Sequence, residues 1–144
     1  MAVTAYWYGK AFEHAFNKLI DFDTDTIKVS LHTSTYTPDQ DADDYWDDCD
    51  NEVSGTGYTH EGATLANASI TYTAGTNVLK LDGDDVTWSS SEITARYAVV
   101  YVRETEDNAS PLICYIDFGE DKSSDGGDFT ITWHEDGICK VTVS

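Results

Sequence analysis

Basic residues are scarce in this chain of 144 residues. Lysine and arginine together number 8, against 27 aspartates and glutamates, so the formal net charge at pH 7 is −19. No lysine or arginine occurs between Lys28 and Lys80. Binding to phosphate groups requires clustered basic side chains, so the composition excludes nucleic acid and an anionic membrane surface as direct partners. The excess of acids predicts a domain kept in solution by self-repulsion.

Long apolar runs are also missing from the sequence. No segment approaches the roughly 18 residues that a membrane-spanning helix needs. Residues 1–6 lack the basic start and the apolar stretch of a secretory signal. We therefore expect a protein that is made in a reducing cytosol and does not enter a membrane.

Cysteine is limited to Cys49, Cys114 and Cys139. Three scattered cysteines are too few for a disulfide framework and have no zinc-ligand spacing. The sequence favours buried, reduced cysteines that behave as small apolar residues. A bridge between Cys114 and Cys139 is left open as the alternative.

Proline is rare, with only Pro38 and Pro111, and no repeat or linker divides the chain. We therefore predict one domain over residues 1–144. Apolar residues at spacings of three and four predict a helix over residues 9–21, preceded by an N-terminal arm over residues 1–8. A Thr-Pro-Asp start predicts a short acidic helix over residues 37–49, with four residues on its inner side: Ala42, Tyr45, Trp46 and Cys49.

The rest of the chain reads mostly as strands, above all over residues 67–143. Apolar residues alternate with polar ones at 27–33, and short apolar runs separated by turn residues follow at 68–73, 78–81, 86–89, 94–104, 112–118, 129–134 and 138–143. Both faces of 97–102 are apolar, which is typical of a central strand. The predicted fold is mainly β (α+β), an antiparallel β-sandwich or barrel-like domain with one or two N-terminal helices packed on it.

Catalytic and metal-binding patterns are weak. Asp21, Asp23 and Asp25 alternate like the start of a calcium loop, but Thr26 and His32 stand where that loop needs glycine and glutamate. The histidines have no metal-ligand spacing, and no nucleophile elbow or phosphate loop is present. We therefore expect no enzyme activity, no catalytic residues, no metal site and no cofactor.

Seven stretches together resemble a family of small virion proteins of tailed bacteriophages. They cover most of residues 22–143: FDTDTIKVSLHTSTYTP at 22–38, DYWDD at 44–48, NEVSGTGY at 51–58, DDVTW at 84–88, ITARYAVVY at 93–101, SPLICYIDFG at 110–119 and FTITW at 129–133. The resemblance implies a structural protein of the particle. Its members resemble head decoration, or cement, proteins that bind the major capsid protein on the outside of the head.

This resemblance leads to an expected location and expected partners. We expect synthesis in the bacterial cytoplasm, then incorporation into the virion at the outer capsid surface. The partners would be the major capsid protein and further copies of this chain, as a trimer or another oligomer. Tyr6, Trp7 and Tyr8 are the candidate partner-contact residues. The alternative for Trp7 and Tyr8 is that they join the core face of the helix.

Two other functions remain open at this stage. One is a structural component of the tail or of the head–tail connector. The other is a glycan-binding module for host adhesion, because aromatic side chains provide platforms for sugars. The four tryptophans that would supply such a platform are Trp7, Trp46, Trp88 and Trp133. Trp88 and Trp133 lie in predicted strands, which favours core packing for these two.

Overall fold

The computed structural model describes residues 3–144, of which the larger part is strand. Strands make up 48% and helix 9%, and the sheets are antiparallel, which confirms the predicted β-sandwich-like α+β class. The elements in chain order are β1 (Thr4–Trp7), α1 (Lys10–Phe16), β2 (Ile27–His32), β3 (Ala63–Thr64), β4 (Ser69–Thr73), β5 (Val78–Asp82), β6 (Val86–Val102), β7 (Leu112–Ile131) and β8 (Cys139–Thr142).

Two sheets are stacked face to face. The large sheet has the strand order β1-β7-β6-β2-β3, and the small sheet has the order β4-β5-β8. The long strands β6 and β7 pair with each other through most of their length and form the centre of the large sheet. Strand β1 pairs only with β7, and this places the N-terminal end of the chain at the edge of the large sheet.

The main core lies between the two sheets. It is formed by the side chains that alternate toward the inner face of the large sheet, together with the inward residues of the small sheet. From the large sheet it includes Val29, Leu31, Ala98, Val100, Ile116 and Phe129, and from the small sheet Leu81 and Cys139. Burial of this apolar surface is the principal force that holds the sheets together.

A second, smaller core lies on the opposite face of the large sheet. There residues 33–51, here called the covering segment, place Tyr36, Trp46 and Cys49 over Val99 and Tyr101 of β6. Strand β6 thus contacts apolar side chains on both faces, which confirms the central position predicted from residues 97–102. We call this second cluster the outer core.

The first helix is shorter than predicted. The sequence pattern predicts a helix over residues 9–21, but α1 ends at Phe16 because Asn17 leaves helical geometry and Lys18 adopts a φ of 66°. The left-handed residue directs the chain away from the helix axis. As a result Phe16 and Leu19 do not join a core face, and their side chains are 88% and 46% exposed.

The predicted acidic helix at 37–49 is not formed. The structure has turns there and a single 3-10 turn at Trp46–Asp48. Asp39 caps a single turn: its side chain accepts from the N–H groups of Asp41 and Ala42, and its carbonyl accepts from the N–H of Asp43. The turn is not continued, because the N–H of Asp44 donates to the side chain of Asp48 and that of Trp46 donates to the carbonyl of Ser110. Trp46 and Cys49 are nevertheless buried as predicted, whereas Ala42 is exposed.

The predicted turn at 123–127 and the gap between the predicted strands 86–89 and 94–104 are also absent. Residues 86–102 form the continuous strand β6, and the predicted strands 112–118 and 129–134 are joined through β7, which ends at Ile131. The Ser/Gly-rich stretch 123–127 pairs with β6 through an irregular register, Ser91 opposite Gly127 and Glu92 opposite Asp125. Glycine and serine here accommodate β-bulges, which share their composition with turns.

Candidate functional site

Two of the predicted contact residues, Tyr6 and Trp7, belong to the edge strand β1, and Tyr8 follows it directly. Met1 and Ala2 of the predicted arm lie outside the described residues, and Thr4–Trp7 is hydrogen-bonded to β7 with Tyr6 opposite Tyr115. Successive side chains of a strand point to opposite faces of its sheet. The sequence alone left this strand unrecognised, although the β-branched and aromatic residues from Val3 to Tyr8 are typical of one.

The structure does not bring Tyr6, Trp7 and Tyr8 together on one surface. Tyr6 is 40% exposed on the outer face, where its ring stacks on Tyr115 at 5.1 Å. Trp7 points to the inner face, packs partly buried on the main core and donates from Nε1 to the carbonyl of Lys140 at 3.1 Å. Tyr8 is fully buried in the outer core.

Tyr8 therefore has an internal role. Its hydroxyl is 2.9 Å from the hydroxyl of Tyr36, which donates to Asp43 at 2.8 Å. Burial raises the pKa of Tyr8 well above its usual range, so the phenol stays protonated and hydrogen-bonded. Trp7 and Tyr8 thus both pack on core residues, but they do so from β1 and the residue after it and not from the helix.

Within residues 3–144, the outward edge of β1 has backbone groups that no other strand pairs with. The N–H of Tyr8 donates to the carbonyl of Ile113 at 3.1 Å. In an antiparallel pair the backbone N–H and C=O groups of successive residues alternate in direction. Those of Thr4 and Tyr6 therefore also point toward β7, and those of Ala5 and Trp7 point away from it. The carbonyl of Trp7 accepts from Gln40 at 2.7 Å. The N–H and C=O of Ala5 are thus presented at the free edge of the sheet.

An apolar groove lies beside this edge. It has a volume of about 830 Å³ and lies mainly against β7 and the residues that follow it. Ala5 of β1 and the preceding Val3 border it, and Lys122, Asp128 and His134 also line it. Its apolar lining is Ile116, Phe118, Phe129, Ile131, Trp133 and Ile138. Together, the free edge and the groove match the requirements for adding an extended peptide strand, which are open backbone groups and pockets for alternate side chains.

A serine–histidine pair is the arrangement in this molecule that most resembles catalytic machinery. Ser30 Oγ is 2.9 Å from Nε2 of His32, and the Nδ1–H of His32 donates to the carbonyl of Asp50 at 2.8 Å. Trp46 Nε1 donates to Ser30 Oγ at 3.0 Å. Both Ser30 and His32 are 0% exposed, and neither lines the groove. The chain of bonds therefore fixes the covering segment to β2.

We expect the burial of His32 to lower the free energy of unfolding in mild acid. Burial lowers the pKa of His32 below the 6.5 of an unfolded chain, outweighing Asp50 and Glu52, which act in the opposite direction. Because the unfolded chain then binds more protons, the free energy of unfolding falls as the pH drops from about 6.5 toward the lowered folded pKa. Urea unfolding at several pH values between about pH 7.5 and pH 5.5 measures this fall in the free energy of unfolding.

The variant His32→Gln is the control for this measurement. It is expected to be less stable at neutral pH but to have a flatter dependence of the urea midpoint on pH, because the titrating ring is gone. Equal slopes for the wild type and His32→Gln would contradict the assignment to His32.

The carboxylate of Glu52 binds several groups of the connection between β2 and β3. Glu52 is largely buried and accepts from the hydroxyl of Tyr58 at 2.7 Å and from the N–H of Glu61 at 2.8 Å, and it pairs with His60. Glu61 in turn contacts Lys28 at 3.1 Å and Arg103 at 2.8 Å. These charges are engaged with one another and stabilise the connection between β2 and β3.

Two of the four tryptophans considered for a sugar platform, Trp46 and Trp88, are buried, and Trp7 and Trp133 are partly buried. One ring face of Tyr6 is covered by Tyr115. Within residues 3–144, no group of three or more histidine, cysteine, aspartate or glutamate side chains is placed to hold a metal ion. No helix in the same range is long and apolar enough to cross a membrane.

Comparison of the chain with protein-family models, with curated proteins and with solved structures found no match.

Proposed function

We propose that this chain is a structural protein of a tailed-bacteriophage particle, a decoration protein bound to the major capsid protein on the outside of the head. The observation that carries the proposal is the free edge of β1 beside an apolar groove. The resemblance of the sequence to small virion proteins supplies the class of particle.

Docking would use strand addition. An extended segment of the capsid protein would pair with the N–H and C=O of Ala5 and continue the large sheet beyond β1. Every second side chain of the added segment would enter the groove and contact Ile116, Phe129 and Ile138. The backbone hydrogen bonds would provide affinity whatever the sequence of the added segment. The apolar groove would determine which of its residues lie opposite β1.

The charge of the protein fits this role. A net charge of −19 keeps free copies apart in the cytoplasm and opposes residence beside packaged DNA. It also favours an acceptor segment that carries lysine or arginine beside its apolar residues. Many copies on one shell stabilise the assembled state, because each copy binds the lattice and not the free subunits.

The proposal is tested by counting copies in purified particles. Quantitative mass spectrometry is expected to find hundreds of copies of this chain per particle, and cryo-electron microscopy is expected to place them outside the head, at a contact that includes β1. A few copies, or a few dozen, would assign the protein to the tail or connector instead. Its absence from particles would overturn the proposal of a virion protein.

A further inference from the structure

We propose that Cys114 and Cys139 are a disulfide-forming pair, which connects the large sheet to the small sheet when the protein meets an oxidant. This inference does not rest on the proposed function. It concerns two side chains that the docking edge does not require as thiols.

The fold brings these two cysteines together from distant positions in the chain. Cys114 lies in β7, opposite Trp7 of β1, and its side chain belongs to the main core. Cys139 lies in β8, opposite Leu81, and belongs to the same core from the other sheet. The bond from Trp7 to the carbonyl of Lys140 holds β8 against β1 at this point.

The two thiols are free and belong to the same core. Each cysteine is unbridged, and a hydrogen bond with Cys139 raises the pKa of Cys114. A disulfide requires side chains that already face each other closely, since larger rearrangements of two packed sheets are costly. Cys114 and Cys139 enter this core from opposite sheets.

One member of the pair borders a surface cleft. Cys114 is 0% exposed, but Cys139 is 7% exposed and lines an open cleft of about 300 Å³ together with Ala5, Trp7 and Lys140. The hydrogen bond with Cys139, and then burial, raise the pKa of Cys114, which keeps it protonated in the folded state. Reaction therefore begins at Cys139.

A small disulfide such as oxidised glutathione is the oxidant that converts the two thiols to a disulfide. The deprotonated Cys139 attacks one sulfur of glutathione disulfide and releases one glutathione thiolate. Cys114 then loses its proton and attacks the sulfur of Cys139 in the mixed disulfide, and the second glutathione thiolate leaves. Two protein thiols are oxidised to one disulfide, and one glutathione disulfide is reduced to two glutathione molecules.

The third cysteine provides an internal control. Cys49 is buried in the outer core, where its sulfur lies 3.4 Å from the hydroxyl of Tyr36 and 3.9 Å from that of Tyr8. The large sheet separates this cluster from the pair. Cys49 should therefore remain a thiol under the same conditions.

The test uses the full chain, purified with reductant and then equilibrated with oxidised glutathione under native conditions. After acid quenching, denaturation and alkylation without reductant, peptide mapping is expected to find a Cys114–Cys139 cross-link and one alkylated cysteine, Cys49. The oxidised protein is expected to unfold at higher urea concentration than the reduced protein, because the bridge restricts the unfolded chain.

Two variants complete the experiment. Cys49→Ser is expected to form the same cross-link and to show the same oxidation-dependent shift of the urea midpoint. Cys139→Ser is expected to show neither. Three free thiols after equilibration, glutathione retained on Cys139, or a cross-link that includes Cys49 would overturn the proposal, and the wild-type map decides this even if a variant fails to fold.

Discussion

Replacing Ala5 with proline is expected to remove this protein from phage heads while leaving the domain folded. Proline lacks the backbone N–H, and that of Ala5 faces away from β7, so the ladder between β1 and β7 keeps its bonds. Edge strands tolerate proline at such positions. The added strand would lose a hydrogen bond and meet the proline ring, which predicts about tenfold or more weaker binding.

The measurement adds purified protein to heads from a strain that lacks this gene and determines bound copies by mass spectrometry. Ala5→Ser is the matched control, since it keeps the N–H, and it should bind like the wild type. Tyr6→Ala changes the opposite face and should have a smaller effect than Ala5→Pro. If Ala5→Pro binds normally and Tyr6→Ala does not, docking occurs through the outer tyrosine face instead of the edge.

Replacing Trp46 with alanine is expected to lower the free energy of unfolding by about 3–5 kcal/mol. Trp46 is 5% exposed and stacks on Tyr101 with ring centroids 5.2 Å apart. Its indole N–H also donates to Ser30, and the guanidinium of Arg103 lies 5.9 Å from its ring. The truncation would leave a cavity under the covering segment, which has few other large apolar anchors.

Urea unfolding and limited proteolysis would measure this loss. Trp46→Phe keeps an aromatic ring but removes the indole donor and part of the ring volume, so a smaller loss of about 1–2 kcal/mol is expected. Proteolysis of Trp46→Ala should begin within residues 33–51, because the covering segment loses its anchor while the main core is unchanged. A loss below about 1 kcal/mol would show that the outer core contributes little to stability.

The two faces of β6 show which features of the fold could be predicted from the sequence and which could not. Val99 and Tyr101 alternate with Ala98 and Val100, and this pattern predicted a strand covered on both sides, as the structure confirms. The pattern could not show that the outer cover is an irregular segment. Its Thr-Pro-Asp start does begin one turn capped by Asp39, but the N–H of Trp46 then bonds to Ser110, a contact that only the three-dimensional course of the chain provides.

The residues of the candidate site could be predicted even less well from the sequence. Tyr6, Trp7 and Tyr8 stand out in the sequence as three adjacent aromatics, yet pairing with β7 sends Tyr6 outward and Trp7 inward and buries Tyr8. Ala5, a small residue without any signal of its own, borders the groove instead. Its importance comes from the direction of its backbone groups, which is defined only once a neighbouring strand is in place.

The amino-acid sequence by itself determined the charge of this protein, its mainly β class and the central position of residues 97–102, because composition and alternation are local properties of the chain. Tertiary structure alone decided that β1 is an edge strand, that the groove opens beside it, and that Cys114 meets Cys139. These features arise from contacts between residues far apart in sequence, and no local pattern specifies which strands become neighbours.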